Sequence, residues 1–217
     1  MIALIASPLG DSGLTLTFGN GISKELSEAV VTRARAIGDA AIAGVTDVVP
    51  SYATVTVFYD AAMIGYDDIR RHVLNVEAEV IDFEPATAAG GQRIHRIPVV
   101  YDGEDLAEVA NRTGLSTAEV ISLHSEMDYR VFVTGFVPGF AYLGELDERL
   151  SLPRREAPRK RVPAGSVAIA ERQTGVYPAS TPGGWHLIGT TTERMFDPGR
   201  SRPALLCVGD LVRFDPL

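Results

Sequence analysis

The stretch RKRVPAGSVAIAERQTGVYPASTPGGWHLIGTT, residues 159–191, decides the architecture of this chain. Short β-branched and aromatic runs alternate in it with Pro and Gly, and none reaches helical length, so it reads as brief strands turned at close intervals. Val167 with Ile169 and Leu187 with Ile188 mark two of those strands. The same texture extends both ways. Upstream, Val131 and Val133 precede GFVPGFAYLGELD (135–147); downstream, Leu205 to Val208 and Leu211 to Phe214 form two further candidate strands. Many short strands at regular spacing predict a barrel or sandwich.

Ahead of this region the pattern changes. Ile94 to Tyr101 reads as a strand, and LAEVANRTGLSTAEVISLH (106–124) as two short helices, with Gly114 at the turn and Ser116 capping the second three residues before Glu119. The small, flexible segment PATAAGGQ (85–92) predicts a boundary, giving domains of residues 1–88 and 89–217. In the first domain, Leu14, Leu16 and Phe18 alternate with Thr15 and Thr17 as in a half-buried strand. Leu26, Val30, Ala34, Ile37 and Ala41 then recur at helical spacing, after Ser23 as N-cap and before Gly44. Ala53 to Tyr59 is a second strand, and a helix opening near Asp67 buries Ile69, Val73 and Val76. Two helices on one face of a small antiparallel sheet predict an α+β sandwich of ferredoxin-like type.

No apolar run approaches the roughly 20 residues that a bilayer requires, and MIALIASPLGD lacks the basic start and cleavage site of a secretory signal. A cytoplasmic protein that does not engage membranes is the expectation. The single cysteine, Cys207, lies in an apolar run and is expected as a buried structural thiol. A net charge of −8 argues against nucleic acid. The helical pair has helix-turn-helix spacing, but Ser116 to His124 contains no Arg, Lys, Asn or Gln, and residues 104–128 hold six acids against Arg112 alone, which repels phosphate. Charge of the opposite sign gathers further on, where Arg149, Arg154, Arg155, Arg159, Lys160 and Arg161 face only Glu156. That run suits either an anion site or a solvated loop.

Catalytic equipment is sparse. Lys24 and Lys160 are the only lysines, and neither follows the GxxxxG spacing of a phosphate-binding loop. There is no HExxH or CxxC motif and no His/Asp cluster, so no metal is expected. Ser166 lacks the GxSxG context and reads as a strand entry; His72 and His95 read as structural. His124, closing the capped helix, stands open between a helix-terminus role and a site role. Phe136, Phe140, Tyr142, Tyr177 and Trp185 suit either a pocket wall or a barrel core, with Pro182, Gly183 and Gly184 shaping the turn before Trp185. Arg154, Arg159 and Arg161 offer a bidentate clamp for carboxylate or phosphate. The catalytic candidates are His124, Gln173 and Thr174.

The blocks 135–147, 159–171 and 173–191, with VVYDGEDLAEVANRTGLSTAEVISLH (99–124) before them and PALLCVGDLVRFDPL (203–217) after, closely resemble the family of the B-type 5-oxoprolinase subunits, long labelled allophanate hydrolase subunit 1. The resemblance runs from Gly10 to the C-terminus and is densest from Ile97 onward. It implies an N-terminal α+β domain followed by a cyclophilin-like β-barrel. It also implies two partners. One is a second cyclophilin-like chain, the C-type 5-oxoprolinase subunit or allophanate hydrolase subunit 2. The other is the A-type 5-oxoprolinase subunit, and together they complete an ATP-dependent hydrolase that opens 5-oxo-L-proline to L-glutamate. ATP is consumed by that complex, and the chain alone is expected to be inactive. The family also holds a sporulation inhibitor of a histidine kinase and resembles a C-terminal domain of urea carboxylase. The alternatives are therefore a kinase-inhibiting binding protein and part of an allophanate or urea-related hydrolase. Ala141 stands where proline is usual in the family, Ala168 and Glu171 where glycine is common, and Thr190 where arginine is usual.

Overall fold

The computed structural model describes residues 4–76 and 94–217, which belong to two compact units divided between residues 84 and 85. The boundary expected between 88 and 89, with the PATAAGGQ segment, lies outside the described residues. Among those residues, no helix is long and apolar enough to cross a membrane.

The first unit is a four-stranded antiparallel sheet with two helices. Its elements run β1 (Ile5–Leu9), β2 (Gly13–Thr17), α1 (Lys24–Asp39), β3 (Val45–Ser51), β4 (Thr54–Tyr59) and α2 (Tyr66–Asn75), in sheet order β1-β2-β4-β3. Period-two alternation sends Leu14, Leu16, Val55, Val57 and Tyr59 to one face, where they meet Val30, Ala34 and Ile37 of α1 and Ile69 and Val73 of α2. Ser23 caps α1 by accepting from the Leu26 amide at 3.2 Å. The helix stops at Asp39, so Ala41 is exposed beyond it and not on its buried stripe: the chain turns there at φ 44°, and again at Gly44 at φ 89°, to enter β3. The Asp and Pro of VTDVVPS hid β3 from a reading by pattern, and an edge position makes both tolerable. In the succession β2-α1-β3-β4-α2, β4 lies between β2 and β3 in the sheet. The place on the other side of β2 is taken by β1.

The second unit is a nearly closed barrel with a helical hairpin. Its elements are β5 (Ile94–Val99), α3 (Leu106–Thr113), α4 (Thr117–Ser125), β6 (Tyr129–Thr134), β7 (Ala141–Gly144), β8 (Arg159–Val162), β9 (Ser166–Ala170), β10 (Gln173–Val176), β11 (Thr181–Gly183), β12 (His186–Thr190) and β13 (Leu211–Pro216). Seven strands form one sheet in the order β12-β9-β10-β7-β6-β13-β5, in which β13 and β5 run parallel. The two edges meet where Val100 and Thr190 exchange backbone hydrogen bonds of 2.9 and 2.8 Å. Val131, Leu143, Val167, Ile169, Ile188, Val212 and Phe214 share one core. In β9 the alternate residues Ala168 and Ala170 enter a second, separate cluster with the aromatic groups, so this strand is buried on both faces and reads as the unbroken apolar run SVAIA. The two-stranded sheet of β8 and β11 stands apart from the barrel ladder.

The helical hairpin forms as its sequence predicts. Gly114 takes the left-handed conformation at φ 72°, and Ser116 and Glu119 complete a reciprocal capping box. Leu205 to Val208, expected as a strand, is instead a turn. Leu206 dips into the core while the Cys207 amide donates to Asp210 Oδ2 at 2.9 Å, and Gly209 at φ 95° turns the chain into β13. Cys207 is accordingly half-buried rather than buried.

Candidate functional site

The barrel wall carries the aromatic groups on the face away from the main core. Phe140 is their hub, with ring centroids 5.6 Å from Phe136, 4.9 Å from Tyr142, 5.4 Å from Tyr177 and 5.6 Å from Trp185, all edge to face. Gly175 lets the Phe140 ring lie on β10, since a Cβ there would stand 3.2 Å from Cζ and 2.8 Å from the Ala141 carbonyl. Gly183 is equally constrained: its Cβ would lie 2.2 Å from the Tyr177 hydroxyl. Burial pushes that hydroxyl's pKa up, opposed by a backbone hydrogen bond at Trp185 and by the charges of Arg154 and Arg159. The aromatic groups divide between core and surface. Phe140, Tyr177 and Trp185 are core, whereas Phe136 is 59% exposed at the tip of the Gly135–Gly139 turn. Its φ of 70° is a strained conformation for a bulky residue, of the kind that persists where structure around it holds a contact surface in place.

Each of the three arginines expected as a clamp has a partner within the chain. Arg161 Nε donates to Ser180 Oγ at 2.9 Å, and Arg154 lies 3.8 Å from Glu171. Arg159 belongs to another group, which the sequence reading missed. Its Nη2 donates to Asp105 Oδ1 at 2.7 Å and its Nε meets Glu104 at 2.6 Å, while Arg155 Nη1 reaches the same Asp105 oxygen at 2.9 Å and Glu108 at 3.3 Å. Asp105 Oδ2 accepts the Leu187 amide at 2.7 Å. Burial works against the charged form of Arg159, but hydrogen bonding and the charges of Asp105 and Glu104 outweigh it, and its pKa is raised. Glu104, Asp105 and Glu108 of the acid-rich segment are therefore the partners of Arg155 and Arg159 in the basic one, which offsets part of the positive charge expected there. Opposite charge runs were the available signal for this pairing.

His124 and Thr174 do come together, inside the barrel, with no exposed surface on either. Thr174 Oγ1 donates to the Ala168 carbonyl at 3.1 Å, so its bond of 2.8 Å to His124 Nε2 places the ring proton on Nε2. Nδ1 then accepts from the Tyr101 hydroxyl at 2.7 Å. Burial drives the imidazole pKa down to about 3 and the Tyr101 hydroxyl up, so the ring is neutral and Tyr101 remains a donor. A neutral ring leaves the helix-terminus reading without its charge. Gln173, also buried, opens β10 opposite Ala170 and Gly144. His186 Nε2 donates to the Pro153 carbonyl at 3.0 Å.

The same fold occurs in the urea amidolyase of Kluyveromyces lactis, with a TM-score of 0.74 at 15% identity over 99% of this chain and 15% of that one. Fold and site together define a two-unit α+β barrel protein with an exposed aromatic tip at Phe136 and a group of arginines paired with carboxylates. The chain belongs to the family of the carboxyltransferase domain, subdomains C and D, which matches residues 4–206. It is 40% identical over 220 residues to the B-type 5-oxoprolinase subunit of Bacillus subtilis, covering 95% of this chain and 90% of that protein. A crystal structure of TTHA0988 superposes with a TM-score of 0.85 at 42% identity, over 94% of this chain but only 40% of the longer one.

Proposed function

We propose that this chain is a B-type subunit of an ATP-dependent 5-oxoprolinase, which hydrolyses 5-oxo-L-proline to L-glutamate together with an A-type subunit and a second cyclophilin-like chain. The observation that carries the reading is similarity along nearly the full length of a relative of that name, through both units. The finer architecture fits: a ferredoxin-like layer extended by the β1–β2 hairpin, then a cyclophilin-like barrel. The chain carries no glycine-rich loop of the kind that cradles a nucleoside triphosphate. The described lysines, Lys24 and Lys160, lie outside any glycine-rich phosphate loop. Phosphoryl chemistry is therefore assigned to a partner and recognition to this chain, with the exposed Phe136 tip as a contact surface. Reconstitution with the two partner subunits tests this. The expected result is 5-oxoproline-dependent ATP hydrolysis by the mixture and none by the chain alone. Allophanate turnover in place of 5-oxoproline turnover, or no turnover with a complete set of subunits, overturns it.

A further inference from the structure

We propose that Arg155 and Arg159 form a subsite for the carboxylate of a small acid substrate, closed in the resting chain by its own Glu104 and Glu108. The proposal rests on the 5-oxoproline reading above and deepens it, because that substrate is a lactam bearing one carboxylate. Asp105 is the fixed part of the arrangement. It is buried, one oxygen takes both guanidinium groups and the other takes the Leu187 amide, so it holds the two arginines side by side. One carboxylate balances only one of two positive charges. The second is met by Glu104 and Glu108, whose side chains are 62% and 46% exposed. Ion pairs this open are held by a factor of only about two to five each, so a ligand carboxylate displaces them at little cost.

Hydrogen-bonding capacity is also left over. Arg159 Nη1 and Arg155 Nε are buried without a hydrogen-bond partner among the described residues, and a planar guanidinium matches a carboxylate through two parallel bonds. The location suits a substrate. The Arg155 amide donates to the Gly184 carbonyl at 2.8 Å, Arg159 lies opposite Gly183 in the β8–β11 ladder, and Arg159 is near enough to Tyr177 for its charge to act on the hydroxyl. An acid held on this fork sits beside the PGGW turn and the aromatic cluster. Glu104 thus occupies the position of the substrate's own carboxylate.

Titration of the full chain with 5-oxo-L-proline, acetate and 2-pyrrolidinone, followed by amide NMR shifts, tests the subsite. Pyrrolidinone is the same lactam without the carboxylate. Glu104→Gln should tighten 5-oxoproline and acetate about two- to five-fold, and Glu104→Gln with Glu108→Gln by about ten-fold, while pyrrolidinone is unchanged. Glu193→Gln, which removes the same charge from another exposed loop, should give no gain. Equal tightening by Glu193→Gln, equal tightening of pyrrolidinone, or no saturable carboxylate binding in the double variant each overturns the proposal. Acetate and 5-oxoproline gaining alike, with no 5-oxoproline turnover in the reconstituted complex, would leave the carboxylate subsite standing and remove the substrate.

Discussion

Glu171 occupies the two-residue turn between β9 and β10 at φ 55°, a conformation that costs an L-residue about 1–2 kcal/mol and a glycine almost nothing. Its contact with Arg154 is a long, exposed one of 3.8 Å. Glu171→Gly, which restores the residue common in the family, should therefore stabilise the fold by about 0.5–1 kcal/mol after the greater freedom of glycine in the unfolded chain is counted, measured as a rise in the urea midpoint. Gly183 presents the opposite case. Gly183→Ala drives a methyl into the Tyr177 hydroxyl and should destabilise by about 1–3 kcal/mol, with the near-ultraviolet aromatic signal changing as the ring shifts.

At the scale of elements, α4 and β10 are joined through His124, and that joint has a pH dependence of known sign. The folded imidazole titrates near 3, the free one near 6.5. Below pH 6.5 the unfolded chain binds a proton that the folded chain refuses, so stability is complete above that value and falls as pH drops toward 3. The loss should approach about 1.4 kcal/mol per pH unit, reaching about 2 kcal/mol by pH 5. His124→Gln keeps a donor for Thr174 and an acceptor for Tyr101 without the titration. Urea unfolding from pH 7 to 5 should show its curve flatter than the parent's; equal slopes would place the acid sensitivity elsewhere. The capping box of α4 was legible from Ser116 and Glu119 because it is a local device. The His124–Thr174 contact spans 50 residues, and no spacing rule reports it.

For the whole molecule, charge is the property that changes most on folding. Residues from two segments of opposite sign, each legible in the chain, assemble into the Asp105 group, so the charge that either segment presents does not follow from composition alone. Disrupting that group acts on the fold first. Asp105→Asn removes the buried negative charge shared by two guanidinium groups and sets an amide NH2 donor against the Leu187 amide, and a loss of about 3–5 kcal/mol is expected, read by thermal melting. Phe136→Ala is the complementary change, removing an exposed ring and relieving none of the core. It should leave the melting temperature within a few degrees of the parent while lowering 5-oxoproline-dependent ATP hydrolysis in the reconstituted complex.

The sequence by itself determined the local elements: the α1 cap, the helical hairpin with its Gly114 turn, the barrel strands β5, β6, β9, β12 and β13 but not β7 or β10, and the concentration of Gly beside aromatic residues. These depend on periodicities and turn preferences acting over a few residues. Strands too short for a period, such as β8 and β11, the turn at 205–208 and the split of the aromatics into core and exposed tip were decided only by the tertiary structure, because each depends on what packs against it. The same holds for the arginines. Their number and charge are written in the chain, but whether they face a substrate or a neighbouring carboxylate is set by a contact across about fifty residues, and Asp105 makes that choice.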